Sequence, residues 1–300
     1  MPAPDELGGG IPVSVECLMG LVTIMITTCP HAETGNEWLW GNMWKHVKYN
    51  FKMRRSITPR FIADCISNTI VAYLGLGIVL DAFSGVGGQT ASLLAAGLTV
   101  YACDIDRTNV EHTTHNASVH GRGVLERLFM KCGDYFKQVA SLASRWAREG
   151  KKFAAIHFDM PWGDEYKNKT YDINKMGDGT MSAFRVLDVA ASLTDSFVVK
   201  CPKTVPIADV LKLAYYVQSI ESRVGTANTP LVEVFMSGNK TTKAVIYIGD
   251  IAKKRLADIP PAARVRDLTR QQLTIEECAS GMSAQGKAVG CAKVLFEPHA

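Results

Sequence analysis

Apolar positions change period along this chain, and one change marks the start of a regular alternation. Between residues 58 and 72 the side chains Phe61, Ile62, Cys65, Ile66 and Thr69 recur at helical spacing. Thr58-Pro59 stands in front as cap and first-turn proline, so a helix is predicted there. Short apolar runs follow at 78–82, 99–104, 128–132, 153–159 and 196–201, with helical patterns between them, and then at 231–235 and 244–249. Strands separated by helices join through right-handed crossovers into a mainly parallel sheet. The last pair, linked by Ser237-Gly238-Asn239, reads as a hairpin. The expected fold is a Rossmann-like α/β sheet whose final strand runs antiparallel.

Outside that alternation the pattern is less regular. The apolar run at 11–28 follows a flank carrying Asp5 and Glu6 but no Lys or Arg, the wrong polarity for a secretory signal. With Ser14, Glu16 and several threonines inside it is also a poor bilayer span, and it is expected to pack on the domain. From Trp38 to Arg60, aromatics (Trp38, Trp40, Trp44, Tyr49, Phe51) interleave with Lys45, Lys48, Lys52, Arg54, Arg55 and Arg60, with no acid after Glu37. After Ile251 come charges, Pro260-Pro261 and small residues, which predict a loosely packed tail. The chain thus divides into an extension at 1–55 contributing to a substrate site, a catalytic domain at 56–251 and a tail at 252–300.

Composition narrows this only slightly. Three hundred residues at 47% hydrophobic suffice for one well-cored domain, and a net charge of +4 does not suggest a long duplex clamp. Eight cysteines without a CxxC pair read as reduced, mostly buried thiols of an intracellular protein, nuclear or cytoplasmic. Lys52-Met-Arg-Arg55 is too short to be a nuclear address. His112, His115 and His120 lack neighbouring cysteines or an HExxH pattern, so they are expected to be surface histidines and no metal is expected.

Candidate chemistry concentrates at two strand ends. Asp81-Ala-Phe-Ser-Gly85-Val-Gly87-Gly88 lies between a strand and a helix expected to begin near Gln89, where glycines let a ligand approach the backbone. The loop departs from G-x-G-x-x-G, and Asp81 at its mouth would repel a pyrophosphate. S-adenosylmethionine has no phosphate and carries a cationic sulfonium and an ammonium, so an acid there favours it. Asp104, ending the second strand of the alternation, suits the ribose hydroxyls, and Gly133-Asp134 after the third suits the adenine edge. The bland alternative is that all three acids are helix caps or solvated loop residues.

At the end of the fourth strand of the alternation stands Asp159-Met160-Pro161-Trp162, where an open α/β sheet places its ligands. A conjugated exocyclic amine is planar and weakly nucleophilic; its hydrogens must be accepted and its ring held flat. Asp159 and the Met160 carbonyl are candidate acceptors, Pro161 stiffens the loop, and Trp162 offers a stacking face that favours a cationic purine. A core aromatic beside a simple turn at Gly163 is the competing reading.

In order along the chain, these motifs resemble the trimethylguanosine synthases, RNA cap guanine-N2 methyltransferases with a class I S-adenosylmethionine-dependent fold. DAFSGVGGQT resembles the family's D-x-F-C-G-x-G-G-N-T loop, and MPWGDEY its P-P-W-G-G-P-x-Y segment, one residue shorter before the Tyr. Ser56-Ile-Thr58-Pro59 and EVFMSGNKTTKAVIYIGDI resemble the segments before the first strand and at the closing hairpin. The resemblance spans roughly residues 40 to 251. It implies cofactor contacts from Thr58, Asp81, Phe83, Gly85, Asp104, Asp134 and Asp159. Guanine recognition is implied for Trp162 and Asn116, cap-phosphate contact for Lys203, and more weakly for Lys45 and Lys48. The implied partner is 7-methylguanosine-capped RNA of the small nuclear or nucleolar class, and the implied product 2,7-dimethyl- or 2,2,7-trimethylguanosine. Asp159 and Met160 depart from the family, which has a smaller Ser or a comparable acceptor at the first position and a proline at the second. Two other functions stay open: an amino methyltransferase on adenine or guanine in DNA or RNA, and an idle cap-binding module of the same fold.

Overall fold

The computed structural model describes residues 19–30, 35–177, 179–220, 229–259, 266–267, 273–284 and 289–295. In chain order its elements are β1 (Met19–Thr28), α1 (Gly35–Trp40), α2 (Arg60–Leu74), β2 (Ile78–Asp81), α3 (Gly88–Ala95), β3 (Thr99–Asp104), α4 (Arg107–Ser118), β4 (Leu128–Cys132) and α5 (Tyr135–Glu149). There follow β5 (Ala155–Phe158), α6 (Ala183–Ala190), β6 (Ser196–Cys201), α7 (Ile207–Ile220), β7 (Leu231–Ser237), β8 (Lys240–Gly249), α8 (Asp250–Ala257), β9 (Arg266–Asp267), α9 (Ile275–Ser283) and β10 (Val289–Leu295). All lie on or around one sheet in the order β4-β3-β2-β5-β6-β8-β7-β1-β10-β9.

Strands β2 to β6 are mutually parallel, and β8 inserts antiparallel between β6 and β7. That is the Rossmann-like methyltransferase sheet the alternation predicts, with the antiparallel strand where the hairpin places it. Successive residues of these strands are buried on opposite faces, as a sheet covered on both sides requires. Val79 packs with Ile62, Ile66 and Ile70 of α2 and Leu93 of α3. Leu80 packs on the other side with Val139 of α5 and Val186 of α6. A smaller cluster of Leu39, Trp40 and Ile57 with Val86 seats the N-terminal extension on the glycine loop.

Three expectations change. The described part of the apolar run, β1, enters the sheet parallel to β7, so the hairpin is not the sheet's edge; residues 11–18 lie outside the described residues. The loosely packed tail is corrected by its described parts. β10 pairs with β1, and Ile275, Cys278, Ala279 and Met282 of α9 are buried in the main core. The i, i+3, i+4, i+7 spacing of those residues and the Thr274–Glu277 capping box outweigh the surrounding charge. Lastly, Thr58 is no helix cap: Pro59 holds the N-cap position of α2, and the Thr58 hydroxyl accepts from Lys200 Nζ at 2.9 Å.

Candidate active site

A cleft of about 1250 Å³ opens at the carboxyl ends of the parallel strands. Small-ligand pockets span roughly 300–1,000 Å³, so the space admits a cofactor with a second ligand beside it. One wall is the loop from β2 to α3. Gly87 there has φ +87°, and a Cβ on it would lie 2.9 Å from the Thr113 backbone, so only glycine fits. The Gly85 amide donates to Asp104 Oδ2 at 2.9 Å, and the Gly85 carbonyl accepts from Thr113 Oγ1.

Thr58, Asp81, Phe83, Gly85, Asp104, Asp134 and Asp159 all line this cleft, in different states. Asp81 is corrected from the loop's mouth to a buried position beneath it, because Thr90 Oγ1 at 2.5 Å and His157 Nδ1 at 2.9 Å hold its oxygens. Burial pushes the Asp104 carboxyl above the ordinary carboxylate range, and hydrogen bonds from Asp106 N, Asn109 and Gly85 N pull it back. Asp134 caps α5 through Lys137 N, and Phe83 leans on Tyr135 with ring centroids 4.8 Å apart.

The fit of a polar ligand shows in what the protein leaves unpaired. Ser84 Oγ, Gln89 Oε1, Asn109 Oδ1 and His157 Nε2 are buried without a hydrogen-bond partner among the described residues, and all four residues line the cleft. Such atoms are costly unless a ligand or water meets them. Acceptors dominate the set, and the Asp104 and Asp134 carboxylates beside them add acceptor capacity to the same lining, which suits ribose hydroxyls and an amine-bearing base rather than phosphate.

Beside the glycine loop, the end of β5 carries Asp159, paired with Lys200 Nζ on β6. Lys200 is almost fully buried, whereas the Asp159 side chain keeps 18% exposure toward the cleft. Among the described residues its second oxygen receives only Trp162 Nε1, at 3.3 Å. Tyr171 fixes the indole from below, with its ring edge-on at 5.4 Å and its hydroxyl donating to the Trp162 carbonyl at 2.7 Å. Gly177 N donates to the Pro161 carbonyl at 2.9 Å, and Met160 is buried in the core beneath. Lys243 on β8 completes this wall; burial, and then the Lys200 charge, lower its amine to about 8, against the opposing pull of Asp159.

His157, Lys200 and Lys243 were missed by sequence reasoning. Lys200 left a signal, since a lysine within the apolar run Phe197-Val-Val-Lys-Cys is rarely buried unless paired. His157, inside a buried strand, left none.

The substrate residues divide. Trp162 and Lys203 line the cleft, but Lys203 Nζ is engaged by Glu276 Oε1 of α9 at 2.6 Å. Asn116 is corrected: fully buried, its amide donates to the Lys48 and Val86 carbonyls at 2.8 Å each and accepts from Lys48 N at 2.7 Å. With its polar atoms spent on main chain, it fastens the extension to the glycine loop and presents nothing to a base. Lys45 and Lys48 are corrected as well, since neither is part of the cleft lining; Lys45 Nζ lies 5.5 Å over the Trp44 ring. His115 and His120 are half-buried against the His46 carbonyl and Arg60. Among the described residues no group of His, Cys, Asp or Glu could hold a metal, six cysteines are free, and no helix is long and apolar enough to cross a membrane.

A profile of the RNA cap guanine-N2 methyltransferase family matches residues 76–250. The chain is 25% identical to a trimethylguanosine synthase of Schizosaccharomyces pombe over 63% of its own length and 78% of that protein's. A trimethylguanosine synthase of Saccharomyces cerevisiae is 30% identical over 40% of the chain, which spans 37% of that protein's length. Among solved structures, an S-adenosylmethionine-dependent methyltransferase of Agrobacterium tumefaciens aligns at TM-score 0.45 and 13% identity over 65% of this chain and 63% of that one.

Proposed function

The chain belongs to the RNA cap guanine-N2 methyltransferase family, an S-adenosylmethionine-dependent enzyme family, and we propose that it methylates the exocyclic N2 amine of the 7-methylguanosine cap on RNA, giving 2,7-dimethylguanosine. One observation carries the reading: the acid-lined glycine loop and Asp159, Lys200 and Trp162 line a single cleft with room for two ligands.

S-adenosylmethionine supplies an electrophilic methyl on a cationic sulfur. Asp104 takes the ribose hydroxyls, Asp134 the adenine edge, and Thr58, Phe83 and Gly85 shape the surrounding wall. Beneath them, Asp81 holds the loop and orients His157. Trp162 stacks on the cationic 7-methylguanine, its plane fixed by Tyr171 and Asp159. The free side of the Asp159 carboxylate accepts an N2 hydrogen, aligning the amine for direct displacement at the methyl carbon. The bound donor would supply its methyl by direct displacement with its sulfur as leaving group, and the N2 proton would pass to water afterwards, so Asp159 need only orient the amine and no strong base is needed before attack. Positioning supplies most of the acceleration. Lys200 keeps Asp159 in place, and Lys203 meets a cap phosphate by exchanging Glu276 for it.

The test is incubation with 7-methyl-GDP and labelled methyl donor, with the product weighed. A methyl on N2 is the expected result, and a second addition would extend the product to 2,2,7-trimethylguanosine. Turnover of unmethylated guanine or adenine nucleotides at the same rate would replace this reading with a general nucleobase amino methyltransferase. Cap binding without any methyl transfer would make the chain an idle cap reader.

A further inference from the structure

The cleft mouth carries a feature that the cap itself does not use. Phe51 is 83% exposed, yet it sits on a fixed turn. Asn50 caps the 3-10 turn Phe51–Arg55 by accepting from Met53 N at 2.9 Å, Tyr49 donates to Asn36 at 2.6 Å and stacks on Trp40, and Asn116 clamps Lys48. A single exposed phenylalanine is ordinary on a protein surface, but one held on a fixed turn beside cations offers a face on which a base can stack. Lys52, Arg54 and Arg55 follow it in sequence, all exposed. Phe51, Lys52 and Arg55 line the same cleft as Trp162.

Across the mouth stands the turn Asp164–Lys167, where Tyr166 is 40% exposed and Lys167 Nζ lies 5.4 Å over its ring. Asp164 and Tyr166 of this turn line the same cleft as Phe51 and Arg55. Aromatic faces interleaved with cations are the chemistry of single-stranded nucleic acid binding, in which bases stack and the backbone follows the charges.

We propose that the Phe51–Arg55 turn is a docking platform for the RNA immediately downstream of the cap: a base stacks on Phe51, and Lys52 and Arg55 hold the adjoining phosphates. The proposal deepens the cap-methyltransferase reading and rests on it for the identity of the RNA. It makes the substrate capped RNA rather than the free cap nucleotide, with Tyr166 closing the opposite rim. Lys45 and Lys48 lie outside the platform.

The experiment compares 7-methyl-GDP with a short 7-methylguanosine-capped RNA carrying 2-aminopurine as its first transcribed nucleotide, using the full chain and Phe51→Ala. The variant is expected to lose about tenfold more kcat/KM on capped RNA than on 7-methyl-GDP. The wild type should quench 2-aminopurine emission on binding, and Phe51→Ala should not. Equal losses on the two substrates together with unchanged quenching would overturn the platform. So would RNA readouts like the wild type's accompanied by lost binding to phosphatidylserine vesicles, which would give the turn to a lipid surface. Quenching needs no turnover, so failure of methyl transfer and failure of the platform are told apart.

Discussion

Two buried ion pairs divide this molecule into a part that is held and a part that works. On the face covered by α2 and α8, Glu233 accepts from Arg255 at 2.7 Å, Thr27 at 2.5 Å and Tyr247 at 2.9 Å, and Arg255 lies over the Tyr247 ring. Burial is the largest single influence and works against the Arg255 charge, but the hydrogen bond to Glu233 and the interactions with Tyr247 and the Glu233 charge together raise the guanidinium above its ordinary value. Every partner belongs to the protein, and together they tie β1, β7, β8 and α8. In the cleft, Asp159 has Lys200 on one oxygen and only a long contact from Trp162 on the other. Lys243, close enough to feel both charges, is lowered to about 8. A saturated pair stabilises the fold, whereas a pair left open beside a cavity is poised for a ligand.

The sharpest way to break this contrast is to remove one cation from the saturated pair. Arg255→Met leaves Glu233 charged and buried, and should cost about 3–5 kcal/mol in urea unfolding while the folded fraction keeps its specific activity. Loss of activity without loss of stability would reverse the assignment of the two pairs. Asp159→Asn should lower kcat on 7-methyl-GDP by about a hundredfold, measured at saturating methyl donor; a wild-type rate would remove the carboxylate from the reaction.

Trp162→Ala comes next, with 7-methyl-GDP affinity expected to fall by about tenfold or more in calorimetry. Wild-type affinity would show that the indole merely packs. The smallest effect concerns Lys243. Its amine is charged below about 8 and neutral above, so affinity for the cationic methyl donor should rise as pH climbs through 8. Unit charges about 6 Å apart in water interact by about 0.7 kcal/mol, so the rise should be roughly threefold. Lys243→Gln should flatten it, and a step that survives in the variant would belong to another group. Because this amine is lowered in the folded chain, the unfolded chain holds the extra proton between about 8 and the ordinary 10.5. Its contribution to stability therefore rises with pH across that window.

Legibility followed the range of the interactions. The alternation from 78 to 249, the hairpin and the glycine loop are local patterns, and each was readable because periodicity and turn chemistry act within a few residues. The tail was misread because charges, Pro260-Pro261 and small residues interrupt its apolar positions, although the spacing of Ile275, Cys278, Ala279 and Met282 was visible. Asn116 was misread for a different reason: an amide on a helix has the same sequence signature whether it faces a ligand or, as here, the main chain of Lys48 and Val86.

By itself the sequence determined the Rossmann-like sheet, the two loops that carry the chemistry and the family resemblance, since these rest on local spacing and order. Tertiary structure decided which charges meet. Lys200 reaches Asp159 across 41 positions of chain, and Glu276 reaches Lys203 across 73. Arg255 reaches Glu233 across 22, and Asp81 meets His157 across 76. Electrostatic partnership depends on distance in space and on the water removed around it, and neither is written in the spacing of residues along a chain.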